Sequence, residues 1–188
     1  MKDYFWGSKE TEEVNEPMTV HEYASETKAH TSTDNNVVEF SHNRIYFYSG
    51  VTRPKILQLN KGIFNLNVNM LSKTGPLEYE PPPIKLHINS YGGSVFAGLS
   101  AVDYIKNSKI PIHSVIDGCA ASAATLMSCV AERRYMHKNA CMLVHQLSGV
   151  MWGKFQEMQD DMQNSEMLME KIKSIYKQHT KIPKREMD

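Results

Sequence analysis

Two consecutive stretches of this chain repeat one order of parts: a run of β-forming residues, a glycine-containing turn, then a helix. The first is "IKLHINS" (Ile84–Ser90), the turn "YGGS", and a helix from about Val95 to Asn107. The second is "PIHSVID" (Pro111–Asp117), a turn marked by Gly118, and a small-residue helix from about Ala121 to Val130. Strand–helix–strand units of this kind place their strands side by side and parallel, through right-handed crossovers. Functional groups in such sheets gather at the carboxyl ends of the strands. The two glycine turns are therefore expected to be neighbours at one edge of an α/β domain.

The flanking sequence extends the pattern. Asn43–Gly50 is a strand candidate closed by Gly50, and the segment from Val51 to Gly75 is helical, with Pro54 in the first turn and Gly75 as the stop. "ERRYMHKNA" holds a short strand and turn, and "CMLVH" (Cys141–His145) reads as a further strand. The glycine-containing loop "QLSGVMWG" leaves that strand. The last long segment, from about Lys154, carries Phe155, Met158, Met162, Met169, Ile172 and Tyr176 on one helical stripe. That stripe suits either core packing or contact with another subunit.

Composition sets the class. The chain has 188 residues and 41% hydrophobic content, enough for one domain with a substantial core. The formal net charge of +0 gives no field that would draw nucleic acid or a membrane surface. Residues 1–40 hold three Lys/Arg and nine Asp/Glu, a net of −6, and read as an acidic, flexible arm; residues 41–188 form the domain and carry +6. No apolar run reaches the ~18–20 residues of a membrane span, and no secretory h-region opens the chain. A soluble, cytoplasmic protein is expected. Cys119, Cys129 and Cys141 lack CxxC spacing. They read as core or near-core thiols in a reducing compartment, with no disulfide framework and no metal site.

The stretch "GCAASAATLM" crowds small side chains around one hydroxyl, Ser122. A serine at a helix start lies where backbone N–H groups are unpaired and the dipole favours negative charge. The Ala123 N–H, just after the serine, and the Gly93 N–H on the neighbouring turn form a candidate oxyanion hole, worth ~3–4 kcal/mol per donor. The alanines leave room for a substrate carbonyl. A serine nucleophile needs a base, and His145 ends the third strand at the required edge. His42 and His137 sit in turns or strand starts, His87 and His113 within strands, His21 and His30 in the arm, and His179 near the end of the long helix. Locally, Ser122 also reads as a plain helix cap and His145 as a hydrogen-bonded structural residue.

"INSYGGSVFAG", "GCAASAATLM" and "MLVHQ" together resemble three motifs of the Clp protease proteolytic subunit (ClpP) family, in the same order and at similar spacing. The resemblance runs from about Arg44 to the chain end. It implies a crotonase-like fold of repeated β-β-α-type units, with a mainly parallel sheet, glycine turns at strand ends and a long protruding handle helix. It also implies a serine endopeptidase that hydrolyses unfolded polypeptide, with no cofactor on this chain and ATP used by a partner. Expected partners are copies of itself, in two stacked seven-membered rings, and a ring-shaped AAA+ Clp unfoldase. By resemblance Ser122 is the nucleophile, His145 the general base, and Gly93 and Ala123 the oxyanion donors, while the loop Leu147–Gly153 pairs with extended substrate. Asp188 fits the triad aspartate only with a two-residue deletion, and the family's following strand and helix have no counterpart, so a C-terminally truncated member is expected.

Tyr91 stands where the family has proline, and Lys85, His87 and Asn107 stand at positions of its aromatic ATPase-docking pocket. Three other readings remain open. One is a catalytically weak or silent ring subunit that assembles with active partners. Another is a crotonase-fold acyl-CoA enzyme, and the third a thiol nucleophile at Cys119.

Overall fold

The computed structural model describes residues 37–150, 152–183 and 185. Six strands form one sheet: β1 (Val37–Ser41), β2 (Arg44–Tyr48), β3 (Ile84–Ser90), β4 (Ile112–Ala121), β5 (Arg133–Met136) and β6 (Cys141–Leu143). Among the described residues four α-helices accompany the sheet: α1 (Arg53–Thr74), α2 (Val95–Lys106), α3 (Ala123–Cys129) and α4 (Phe155–His179). The sheet runs β1-β2-β3-β4-β5, with β6 pairing β4 as well. Among the described residues β1–β2 pair antiparallel and the other named strand pairs are parallel. This is the mainly parallel α/β architecture expected above. β1–β2–α1 and β5–β6–α4 are β-β-α units, and between them each strand carries one helix.

Alternation along the strands decides the core face. Ile45 and Phe47 on β2, Leu86 and Ile88 on β3, and Ile116 on β4 point into one apolar cluster with Ile56, Leu59 and Ile63 of α1 and Ala101, Val102 and Ile105 of α2. Each such side chain contributes ~1.5–3 kcal/mol by leaving water. Buried Asn67 of α1 donates to Ser108 Oγ at 2.9 Å and accepts the Ile110 N–H at 2.8 Å, fixing the connection between α2 and β4.

Three differences from the sequence reading matter. Val37–Phe40, assigned to the acidic arm, belong to β1, where the Phe40 ring packs over Gly62 of α1 in the space a Cβ there would take. The rest of that arm, residues 1–36, and Asp188 lie outside the described residues. Gly118 is not a turn: β4 runs through it to Ala121. The register steps from Ile88↔Ile116 to Ser90↔Ala120, so β4 holds two extra residues in a bulge. Asn89 Oδ1 accepts the Cys119 N–H at 3.1 Å and leaves no space for a Cβ on Gly118. The third strand ends at Leu143, so His145 sits two residues beyond it.

β4 sets the site's geometry. Its outer edge is shared end to end: β5 pairs with His113–Ile116 and β6 with Cys119–Ala121. The strand carrying the serine therefore runs beside the one leading to the histidine. Among the described residues, no helix is long and apolar enough to cross a membrane.

Candidate active site

The turn after β4 is made at Ser122 itself. Its backbone has φ 53 and ψ −127, a conformation an L-residue adopts at a cost of ~1–3 kcal/mol and keeps only when its surroundings enforce it. Three bonds enforce it here. The Ser122 N–H donates to the Leu143 carbonyl at 2.9 Å, two residues before His145. The Ser122 carbonyl accepts from the Thr125 N–H at 3.0 Å and the Thr125 hydroxyl at 2.6 Å. Thr125 Oγ1 is in turn 2.5 Å from the Tyr176 hydroxyl of α4. Such a bend at a strand–helix junction pushes a nucleophile out of the backbone surface.

The turn after β3 presses directly on it. A Cβ on Gly92 would stand 2.6 Å from the Ala121 carbonyl oxygen and 2.6 Å from Ser122 Cβ. Val51 clamps this turn on both sides, donating to Gly92 O at 2.7 Å and accepting the Ser94 N–H at 2.8 Å. The Gly93 N–H, between those two bonds, takes no part in the clamp. Nor does the Ala123 N–H take part in the bonds that hold the Ser122 turn. These are the two donors the sequence nominated.

Ser122, Ala123, Gly93 and His145 line one pocket of about 60 Å³, together with Val95, Leu126, Ile172 and Tyr176. His145 Nδ1 lies 2.6 Å from the Gln146 carbonyl oxygen. A carbonyl only accepts, so Nδ1–H donates, and the neutral ring keeps its lone pair on Nε2, the tautomer a general base needs. Among the described residues no hydrogen bond joins Ser122 Oγ to His145. Met169 Sδ accepts the Leu147 N–H at 3.4 Å, anchoring the start of the following loop to α4.

Sequence reasoning missed Thr125 and Tyr176. Thr125 stands three residues after Ser122, where a helix returns a side chain to the turn below. Tyr176 fell on the long apolar stripe, whose two halves behave differently. Ile172 and Tyr176 are buried, whereas Phe155, Met158 and Met162 are exposed.

A second polar cluster also escaped, on the sheet face away from the core. Asp117 accepts from the Tyr48 hydroxyl at 2.6 Å, lies 3.0 Å from His87 Nδ1 and 3.2 Å from His137 Nε2. His87 stacks on Tyr46 at 4.7 Å and meets Arg44 at 3.2 Å. Burial, then the bond to Asp117, pushes the Tyr48 phenol up to about 12; burial pushes Tyr176 up to about 12. Both phenols hold their protons more tightly than in the unfolded chain, where the ordinary value is 10.0. Their contribution to stability is complete below about pH 10 and is lost as pH rises towards 12. Denaturant midpoints should fall across that window, and Tyr48→Phe and Tyr176→Phe should each remove the latest-titrating part of the phenolate absorbance. Titration of every tyrosine near 10 would contradict this.

A family model for Clp protease matches residues 55–188. The chain belongs to the Clp protease family, whose members are peptidases. Its fold is similar to that of a point mutant of ClpP1 from Listeria monocytogenes, with a TM-score of 0.64 and 22% identity over 78% of this chain and 77% of that one. At that identity the likeness speaks for the fold, and the roles of individual residues rest on the geometry above.

Proposed function

We propose that this Clp protease subunit is a serine endopeptidase acting on unfolded polypeptide, with Ser122 as nucleophile and His145 as general base. One observation carries the reading: a strained serine, a histidine in the base tautomer and two N–H groups outside the local bonding line the same pocket. In this mechanism Nε2 of His145 takes the Ser122 proton as Oγ attacks the scissile carbonyl. The Gly93 and Ala123 N–H groups hold the oxyanion, and the imidazolium then protonates the leaving amine. In this reading the loop after His145 pairs with the substrate chain, and Val150 and Trp152 on it are almost fully exposed.

Assembly belongs to the same reading. The apolar half of α4 at Phe155, Met158 and Met162, and the stripe Leu57, Phe64, Val68 and Leu71 on α1, are exposed in the single chain. Contiguous apolar faces of this kind fit subunit contacts in rings. Substrate delivery by an AAA+ unfoldase that spends the ATP, and a cytoplasmic site of action, complete it. The polar network of His87 and Asp117 fits an unfoldase contact different in chemistry from an apolar docking pocket.

The third triad member sets the expected rate. The acceptor on His145 Nδ1 is the Gln146 carbonyl, which selects the tautomer but stabilises an imidazolium less than a carboxylate does. Asp188 is the carboxylate the sequence offers for that role. The 188-residue chain should hydrolyse a short fluorogenic peptide slowly, and Asp188→Asn should slow it further. Fast turnover unchanged in Asp188→Asn would remove Asp188 from the mechanism.

A further inference from the structure

Cys119 of β4 and Cys141 of β6 are direct partners in the parallel register. Neighbouring strands lie about 4.8 Å apart, within the ~4.4–6.8 Å Cα separation that a disulfide spans. Side chains at paired parallel positions leave the sheet on the same face, so the register makes the two thiols neighbours across β4 and β6. Both are reduced; Cys119 is half-buried and Cys141 exposed, while the third cysteine, Cys129, is buried. The expectation of core or near-core thiols therefore fails at Cys141, which is exposed. The pair also has a particular place. Cys119 lies three residues before Ser122, and Cys141 four before His145.

We propose that Cys119 and Cys141 form a redox-active dithiol, a site for thiol–disulfide exchange with a low-molecular-weight disulfide such as oxidised glutathione. Exposed Cys141 reacts first. Its thiolate attacks one sulfur of oxidised glutathione, forms a mixed disulfide and expels one glutathione thiolate. Cys119 then attacks the Cys141 sulfur, the S–S bond to glutathione breaks, and a second glutathione leaves with the proton. Two protein thiols are oxidised and one glutathione disulfide is reduced to two thiols.

The environment favours this order. Burial, the hydrogen bond to Cys141 and the negative charge of its thiolate hold Cys119 well above the ordinary thiol range. The last two causes vanish once Cys141 is capped by glutathione, so the first step activates the second. The product clamps β4 to β6 just before Ser122 and His145. A bond between directly paired strands is geometrically tight, and tight disulfides are readily reduced again, which suits a reversible clamp.

The test is to treat the full chain with oxidised glutathione at neutral pH and record intact mass, then map the linkage by digestion. The parent should lose about 2 Da, with Cys119 and Cys141 in one cross-linked peptide, and dithiothreitol should restore the mass. Cys119→Ser should stop at a stable adduct of about +305 Da on Cys141. Cys141→Ser should react at least tenfold more slowly, and Cys129→Ser should behave as the parent. A persistent glutathione adduct on the parent, a bond involving Cys129, a disulfide between two chains, or no reaction would each overturn the proposal. None of these readouts depends on peptidase activity, so they stand or fall separately from the function proposed above.

Discussion

Ser122→Ala is expected to bring peptide hydrolysis down to the background of the buffer and to leave the fold unchanged. The hydroxyl takes no part in the bonds that hold its own turn; those run through the Ser122 N–H and carbonyl. Alanine keeps the backbone atoms and removes the attacking oxygen alone. Losing a nucleophile in a serine peptidase costs on the order of 10⁶ in turnover. Even a slow parent would thus fall beneath detection. The melting temperature should move by no more than a few degrees, and sedimentation should match the parent. Cleavage at the parent's rate by this variant would remove Ser122 from the mechanism and return attention to Cys119.

Gly92→Ala is the second large effect, and it acts on the backbone. The residue has φ +95, which alanine adopts only with strain. Its Cβ would also enter the space of the Ala121 carbonyl oxygen and Ser122 Cβ. Both contacts lie on the turn that aims the nucleophile, so relief must move Gly92 or Ser122. Strain and overpacking together should cost ~2–4 kcal/mol of stability. A misplacement of about 1 Å at a reacting group can cost ~10²-fold in rate, so turnover should drop by at least that factor. Gly75→Ala is the matched control. Gly75 caps α1 in the right-handed helical region with open space around it, and that change should leave rate and stability near the parent's. Equal behaviour of the two variants would show that the contact between the glycine turn and Ser122 does not control the site.

Much of this site was legible because glycines and small residues mark close backbone approach wherever the chain folds. Ile84–Ser90 could be read to the residue, and Ser122, Ala123, Gly93 and His145 do share a pocket. Gly118 was misread for a physical reason. Glycine inside a β pattern marks a turn or a bulge equally well, and here the register between β3 and β4 decides. β1 was hidden because its residues follow a long polar segment and its identity depends on pairing with β2. The network around Asp117 joins residues 69 and 30 positions apart in the chain, a proximity that only the sheet creates. The link from Tyr176 to Thr125 spans 51 positions and likewise needs α4 docked over α3. The exposed half of the α4 stripe could not be told from the buried half, because both show the same periodicity and only the docking of α4 separates them.

The most direct test of the account is covalent. The 188-residue chain should be incubated with a fluorophosphonate at neutral pH, its intact mass recorded and the modified residue located by peptide mapping. The account predicts one adduct, on Ser122, formed much more slowly when His145 is replaced by alanine. A folded chain that takes up no adduct, or that carries it on another residue while Ser122 stays free, would contradict the claim that this pocket is a serine peptidase site.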